Sequence, residues 1–543
     1  MVRCPCDLPC PSDTLATISR VQTGVTRPLE APSQERGFPR RRRLATSPYT
    51  ILAIGAGLVL VLEYLRGSAT FNTSPAWPIV EALVAGAALL AVWPSRTELR
   101  LAPILILGGA FQLGWIAIHL HLGVHGDHDP NGLYSAQGEA LLHGEYPHSE
   151  YPPGAVALFA LDTWLGGGTA RTANAFLMIP FQLLCVAGIW ALRTQWTPWL
   201  SAFVALWPSN AFFWEFRFDL VPTAALVIGL LLGHRERWLA SGFVLGLGAI
   251  AKWTPAFACL ALVLWLLRRR RVRPAELQLL GFAVPVLAAN VPVLLWDKSA
   301  LLAAYSTQNA RTVTAESFVY LPLHLFWNVS PGHWYFQGAD VPTAANSAAI
   351  WLQIVAVGAV LAMAALARTH ASAVALAGLA PAVFLLTNRI FSPQFYVLVL
   401  AAIVVAAALV VPRSSELLTV VGVCAAATTA DTVLYQSFLG AQPVATLPSW
   451  IFISAASFLP TIAAVVWSAL AGGSSDERGT AGAHAGSRQR AACLKTVPAF
   501  ERNTTRQHLG SISCARSEFA SSHPVCISSA DDPNGTSSTR RSR

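Results

Sequence analysis

Charge is scarce in this chain. Only 12% of its 543 residues are Asp, Glu, Lys or Arg, about half of the roughly 25% that a soluble protein carries. Methionine is rarer still, with 3 residues beside 18 Trp and 25 Phe. The nine cysteines are scattered and imply no disulfide framework. Cys185, Cys259 and Cys424 fall inside apolar runs, where a thiol behaves as a small hydrophobe, and Cys4, Cys6 and Cys10 lack the second ligand pair of a metal site. Residues 1–45 contain no apolar core of a signal peptide. These shortages exclude a disordered chain, a secreted disulfide scaffold and an ordinary cytosolic enzyme.

What fills the chain instead is apolar: 54% of residues are hydrophobic and the mean hydropathy is +0.50. Apolar runs recur at roughly 17–25 residues, the length that spans hydrocarbon. They cover 49–65, 77–94, 101–121, 172–192, 197–213, 217–233, 239–251, 255–267, 277–295, 348–366, 372–388, 394–411, 416–436 and 450–471. The pattern predicts an all-α polytopic membrane protein, a bundle of about 12–14 transmembrane helices. The pair 239–251 and 255–267 is short enough to be one helix broken at Lys252. Residues 1–45 and 472–543 are polar and too poor in apolar surface to fold, so a disordered leader and a disordered tail are expected.

The net charge of +9 sits in short blocks such as Arg40–Arg43 and Arg268–Arg271, beside apolar runs. Loops on the inner face look like this, whereas a nucleic-acid partner would need a basic folded surface that the chain does not offer. With the amino terminus inside, the inner loops hold Arg96, Arg193, Arg235, Arg268–Arg273, Arg368 and Arg413. Both termini are then cytoplasmic, in a plasma membrane. Two long outer loops follow, 122–171 and 296–347, polar and aromatic. A transporter keeps its loops short and its site at the midplane, so long decorated loops favour an enzyme working at the outer surface.

The first of these loops holds His121, His125, Asp127, His128 and Asp129 directly after an apolar run, then Tyr134, Glu139, Glu150 and Tyr151. A carboxylate at the membrane–water boundary, Asp127 or Asp129, can serve as general base toward a sugar hydroxyl; the bland alternative is a solvated loop acid. His125, Asp127 and His128 also have the donor types of a divalent-cation site. Arg217-Phe-Asp219 opens a further apolar run, and ionisable groups at membrane depth are paired or functional. Lys252 has no partner near it in sequence and suits an anion. Arg311 and Arg389 suit bidentate phosphate binding, with Glu316 and Gln394 nearby in sequence. Ser392-Pro393 is also an ordinary helix start. A lipid-linked phosphosugar would use this set, its tail in the bilayer, its phosphate on the cations and its sugar among the loops.

Asp129, Tyr134, Ala-Leu-Leu-x-Gly144, Tyr146-Pro and Glu150-Tyr-Pro-Pro-Gly154 resemble the first outer loop of glycosyltransferase family 87. So do Arg217-Phe-Asp219-Leu-Val-Pro222, Gly242-x-x-x-Gly246 before Lys252-x-Thr-Pro255, Arg311-x-x-x-x-Glu316-Ser317 and Ser392-Pro393-Gln394. The motifs run in order over roughly residues 100–415, leaving the two spans of 46–100 outside a core at 101–471. That family belongs to the GT-C superfamily, and its members are typically actinobacterial and use a polyprenyl-phosphate mannose donor. The resemblance implies a GT-C-like bundle acting as an inverting transferase, its loop aspartate the base. It implies donor-phosphate binding by Lys252 and Arg311, and an acceptor side shaped by Glu150 and Tyr151. The acceptor would be a glycolipid or a cell-envelope glycan. The family places its aspartate four residues before the tyrosine, whereas Asp129 precedes Tyr134 by five and Asp127 by seven, so both acids stay candidates. One carboxylate suffices because the leaving group is already a phosphate, unlike a glycosidase, which needs a second as acid. Two other readings stand beside this one: a transporter or lipid flippase, and an assembly partner without activity.

Overall fold

The computed structural model describes residues 46–67, 76–123, 130–167, 169–311, 313–314, 317–319, 343–439 and 459–470. The predicted disordered leader and tail lie outside the described residues. So do Glu316 and the segment 124–129, with its four candidates His125, Asp127, His128 and Asp129.

The described chain folds into helices. These are α1 (Pro48–Gly67), α2 (Ala76–Val92), α3 (Leu101–His121), α4 (Ser135–Leu142), α5 (Pro153–Gly166), α6 (Ala170–Trp190), α7 (Thr197–Leu206), α8 (Pro208–Phe216) and α9 (Leu220–His234). They continue with α10 (Trp238–Ala251), α11 (Pro255–Arg268), α12 (Val272–Trp296), α13 (Lys298–Ala310), α14 (Thr343–Leu366), α15 (His370–Leu386), α16 (Tyr396–Val410) and α17 (Ser414–Leu439). The last is α18 (Leu459–Leu470). Among the described residues no strand forms, and Thr314 makes one isolated bridge.

Among the described residues, eight helices are long and apolar enough to cross a membrane, or nine if α8 and α9, bent by 118°, count as one span. The chain is therefore an all-α, multi-pass membrane protein. The sequence expectation is 12–14; α7, α10, α11, α15 and α18 are apolar but only 10–17 residues long, and the run 450–471 lies partly outside the described residues. The run 197–213 breaks at Pro208 into α7 and α8, of 10 and 9 residues. The runs 239–251 and 255–267 become separate 14-residue helices that meet at an extended Lys252 (φ −157°, ψ 129°). The two long loops are also more ordered than their composition suggests. The first contains α4 and α5, and the second begins with α13, whose first turn is capped by the Asp297 carboxylate accepting from the Ala300 N–H at 3.0 Å.

Several helices start on a proline, among them α5, α8 and α11, where its missing N–H loses no helical bond. Arg193, Glu236 and Arg270 take left-handed backbone with φ of 57°, 56° and 58°. Each follows the end of a helix (α6, α9 and α11) and turns the chain sharply within a short basic loop.

The centre of the bundle is α15 and α16, buried along almost their whole length. The peripheral helices α1, α2, α12 and α14 turn large apolar residues outward, such as Leu83 of α2, Leu287 and Leu295 of α12 and Trp351 of α14, and these face lipid in a bilayer. Close packing relies on small residues where α10 crosses α12. A Cβ on Gly242 would collide with the Gln278 carbonyl, and one on Gly281 with the Leu239 carbonyl. The Gly242-x-x-x-Gly246 spacing is thus a contact stripe between helices. α1 and α2 pack against α3 and α8, so the two amino-terminal spans join the rest of the bundle.

Candidate functional site

Breaks between helices leave polar side chains at helix ends, and these ends converge. Together they enclose a cavity of about 750 Å³, within the 300–1,000 Å³ typical of a small-molecule site. Its wall is built from the start of α5 (Glu150, Tyr151), the α8–α9 bend (Arg217, Phe218, Asp219) and the α10–α11 break (Lys252, Trp253, Thr254). Tyr134 before α4, Tyr305 and Arg311 at the end of α13, Asn388–Gln394 before α16 and Tyr435 of α17 complete it. Nine of the residues singled out from the sequence therefore share one cavity: Tyr134, Glu150, Tyr151, Arg217, Asp219, Lys252, Arg311, Arg389 and Gln394.

The charged groups pair across long sequence separations. Lys252 does have a partner: its ammonium donates to Asp219, 33 residues away, and stands 3.7 Å from the Phe395 ring centroid. Arg217 and Asp219 do not close on each other as a local ion pair. Arg217 Nη1 instead donates to the Tyr134 hydroxyl at 3.3 Å, and Nη2 to the Tyr435 hydroxyl at 2.8 Å. Arg311 pairs with Glu150 across 161 residues, which puts a donor-side and an acceptor-side candidate in direct contact. Arg389 Nη1 donates to Asn346 Oδ1 at 2.7 Å, and burial pulls its guanidinium below the ordinary range. Gln394 Oε1 accepts from Ser392 Oγ at 2.5 Å.

Thr314 fixes the relation between the two arginine-bearing segments. Its N–H donates to the Arg389 carbonyl at 2.9 Å, and its hydroxyl to the Phe391 carbonyl at 2.9 Å. The aromatic side of the cavity is equally specific. Tyr134 stacks on Phe159 with centroids 4.1 Å apart and planes 4° from parallel, while Tyr151 and Phe218 meet both rings edge-on. Edge-to-face packing of this kind adds stability beyond area burial.

Among the described residues, four basic and two acidic side chains line the cavity, a formal charge of +2. Such a site can hold a phosphate against apolar and aromatic walls, with Ile350, Phe384, Leu385 and Phe391 as the apolar part. Tyr305, Phe395 and Tyr435 belong to none of the motifs visible in the sequence, and only the fold brings them in. No three His, Cys, Asp or Glu side chains group as a metal site among the described residues.

A second polar cluster is not among the residues that the sequence singled out. Glu63 of α1, Glu81 of α2, His119 of α3 and Glu215 of α8 are buried together with Arg66 and Arg171. The signal was present, since Glu63, Glu81 and His119 lie inside apolar runs and Glu215 between two of them.

Fold and site together define a class: a multi-pass helical membrane protein with a cationic, aromatic-walled cavity at its helix ends. The chain matches no protein-family model, no curated protein and no solved structure.

Proposed function

We propose that the protein is an integral membrane glycosyltransferase that moves a sugar, mannose in the first instance, from a polyprenyl-phosphate donor to a glycolipid or cell-envelope glycan. The observation that carries the reading is the charge of the cavity. A polyprenyl-phosphate sugar is a phosphodiester with one negative charge, and the polyprenyl phosphate that leaves bears about two at neutral pH. Among the described residues, Arg217, Lys252, Arg311 and Arg389 against Asp219 and Glu150 leave +2, and one ionised loop carboxylate still leaves the site net positive for the departing phosphate. Stabilisation that grows toward the transition state accelerates transfer. The resemblance to glycosyltransferase family 87 supports the same reading.

In this scheme the acceptor hydroxyl gives its proton to a loop carboxylate, Asp129 or Asp127, and its oxygen attacks the anomeric carbon from the face opposite the phosphate. The bond from that carbon to the phosphate oxygen breaks, its electron pair leaves with the polyprenyl phosphate, and the configuration inverts. Tyr134 and Tyr151 offer a sugar an aromatic face. The cavity opens on the outer side of the plasma membrane in the orientation set by the basic loops, with both termini cytoplasmic. No step runs through a metal, although a divalent cation held by His125, Asp127 and His128 would serve the same phosphate.

The experiment supplies purified protein in lipid with radiolabelled polyprenyl-phosphate mannose and a membrane-lipid extract, comparing wild type with Asp129→Asn and Asp127→Asn. Transfer lost in one variant alone supports the transferase and identifies its base. Absence of transfer from mannose and arabinose donors alike sinks the reading and directs attention to transport of a lipid-linked anion.

A further inference from the structure

The buried cluster beside the cavity is arranged around one imidazole. His119 Nε2 lies 2.5 Å from Glu63 Oε1, and its Nδ1 lies 2.5 Å from Glu215 Oε2. All three side chains are at most 1% exposed. A neutral imidazole has one N–H and cannot donate to two carboxylates. The trio therefore holds one proton more than a neutral histidine between two ionised acids, on His119 itself or on one of the carboxyls.

The surrounding charges favour the imidazolium. Arg66 pairs with Glu63 from within α1, Arg171 Nη2 of α6 donates to Glu215 Oε1 at 2.8 Å, and Glu81 of α2 is buried nearby. Each acid of the trio thus carries its own arginine, which keeps both ionised and leaves the extra proton on His119. Unbalanced charge at this depth would be strongly unfavourable.

From Glu215 and Arg171 a closed circuit runs into the cavity wall. The Arg171 backbone N–H donates to Asn131 Oδ1 at 2.9 Å. Asn131 sits in the single turn Pro130–Tyr134, whose last residue accepts from Arg217, and Arg217 is two residues beyond Glu215. Tyr134 and Arg217 are cavity residues, while none of Glu63, His119, Glu215 and Arg171 lines it.

We infer that Glu63, His119 and Glu215 are positioning residues that hold a bound proton and, through Arg171, set the Tyr134–Arg217 corner of the cavity. The inference rests on the reading of that corner as part of a donor-phosphate site. Loss of the proton as pH rises leaves Glu63 and Glu215 sharing a neutral ring. The circuit then slackens and phosphate binding weakens toward high pH.

The test uses the full chain in lipid nanodiscs from pH 6 to 9, with two readouts on wild type, Glu215→Gln, His119→Gln and His119→Lys. The first is deuterium uptake in peptides covering 130–134 and 217–219, without ligand. The second is binding of a synthetic polyprenyl phosphate without sugar. Wild-type uptake, normalised to the intrinsic base-catalysed exchange rate at each pH, is expected to rise with pH. Glu215→Gln and His119→Gln should show high uptake at every pH and about tenfold or more weaker binding, as for one lost charged hydrogen bond. His119→Lys, a permanent cation, should restore protection and flatten the pH profile. Equal uptake and one shared pH profile in wild type and both Gln variants would overturn the inference. If wild type binds no polyprenyl phosphate while the uptake pattern holds, the donor reading fails and the proton-held circuit stands.

Discussion

Lys252 and Asp219 pair across the junction of two broken helix pairs, the α8–α9 bend and the α10–α11 break. Asp219 is 4% exposed and Lys252 19%, so each is the main counter-charge for the other. Removing one partner leaves a buried charge uncompensated. Lys252→Met is expected to lower stability by on the order of 3 kcal/mol, and Asp219→Asn by less, because Lys252 reaches solvent and Phe395. The double variant Asp219→Asn/Lys252→Met should recover most of the loss. A double-mutant cycle by thermal melting in detergent checks this; additive single effects would show that the two side chains do not couple.

Arg311 and Glu150 make the corresponding contact on the other side of the cavity. If a donor phosphate takes Arg311, Glu150 must yield it. Glu150→Gln should therefore bind polyprenyl phosphate more tightly than wild type, with a steeper loss of affinity as salt is raised. Turnover should fall because product leaves more slowly. Arg311→Lys should weaken binding despite the conserved charge, since the planar fork is lost. Titration of both variants at two salt concentrations decides the point, and unchanged affinity in Glu150→Gln would show that Arg311 does not meet the anion.

These contacts show how far the sequence alone reaches. Arg217, Asp219, Lys252, Arg311 and Arg389 were legible because a chain with 12% charged residues places few ionisable groups at the edges of apolar runs, and their position is costly unless used. Their pairing was not legible. Partners 33 and 161 residues apart are joined only when α9 returns beside α10 and the end of α13 meets the start of α5. Tyr435, the partner of Arg217, carries no local signal, since it is one aromatic residue in a long apolar helix. The Glu63–His119–Glu215 cluster was visible as charge within or beside apolar runs, but its members are single residues far apart in sequence, outweighed by the dense polar loops. Apolar run length also does not show where a run divides, since a proline such as Pro208 splits one run into α7 and α8 without adding polarity. Asp127 and Asp129 rest on the sequence alone.

Gly242 provides a test of packing independent of function. Its hydrogen points at the Gln278 backbone, and an added methyl has no flexible side chain to push aside. Gly242→Ala is expected to destabilise by roughly 1–3 kcal/mol through forced separation of α10 and α12. Gly358→Ala in α14 meets nothing within 4 Å and should be neutral or stabilising by up to about 1 kcal/mol, the helix-propensity difference. Comparable losses at both positions would mean that the close α10–α12 contact is not what makes Gly242 necessary.

Asp162 gives the pH dependence with the clearest sign. It sits in α5, a 14-residue helix too short to cross a bilayer, which turns Leu161, Trp164 and Leu165 outward. Its side chain faces inward at 1% exposure, neither carboxyl oxygen makes a hydrogen bond among the described residues, and burial pushes its pKa up to about 7. The unfolded chain releases this proton near pH 4, whereas the folded chain keeps it to about pH 7. Stability is therefore full below about pH 4, drains as pH rises toward 7, and stays low above it, by at most about 4 kcal/mol. Asp162→Asn carries no charge to bury. It should match wild type closely at pH 4 and exceed it increasingly up to pH 7.5, read as a growing gap between the two melting temperatures. A gap that stays constant across that range would mean that Asp162 is ionised in the folded protein and finds its counter-charge or water after all.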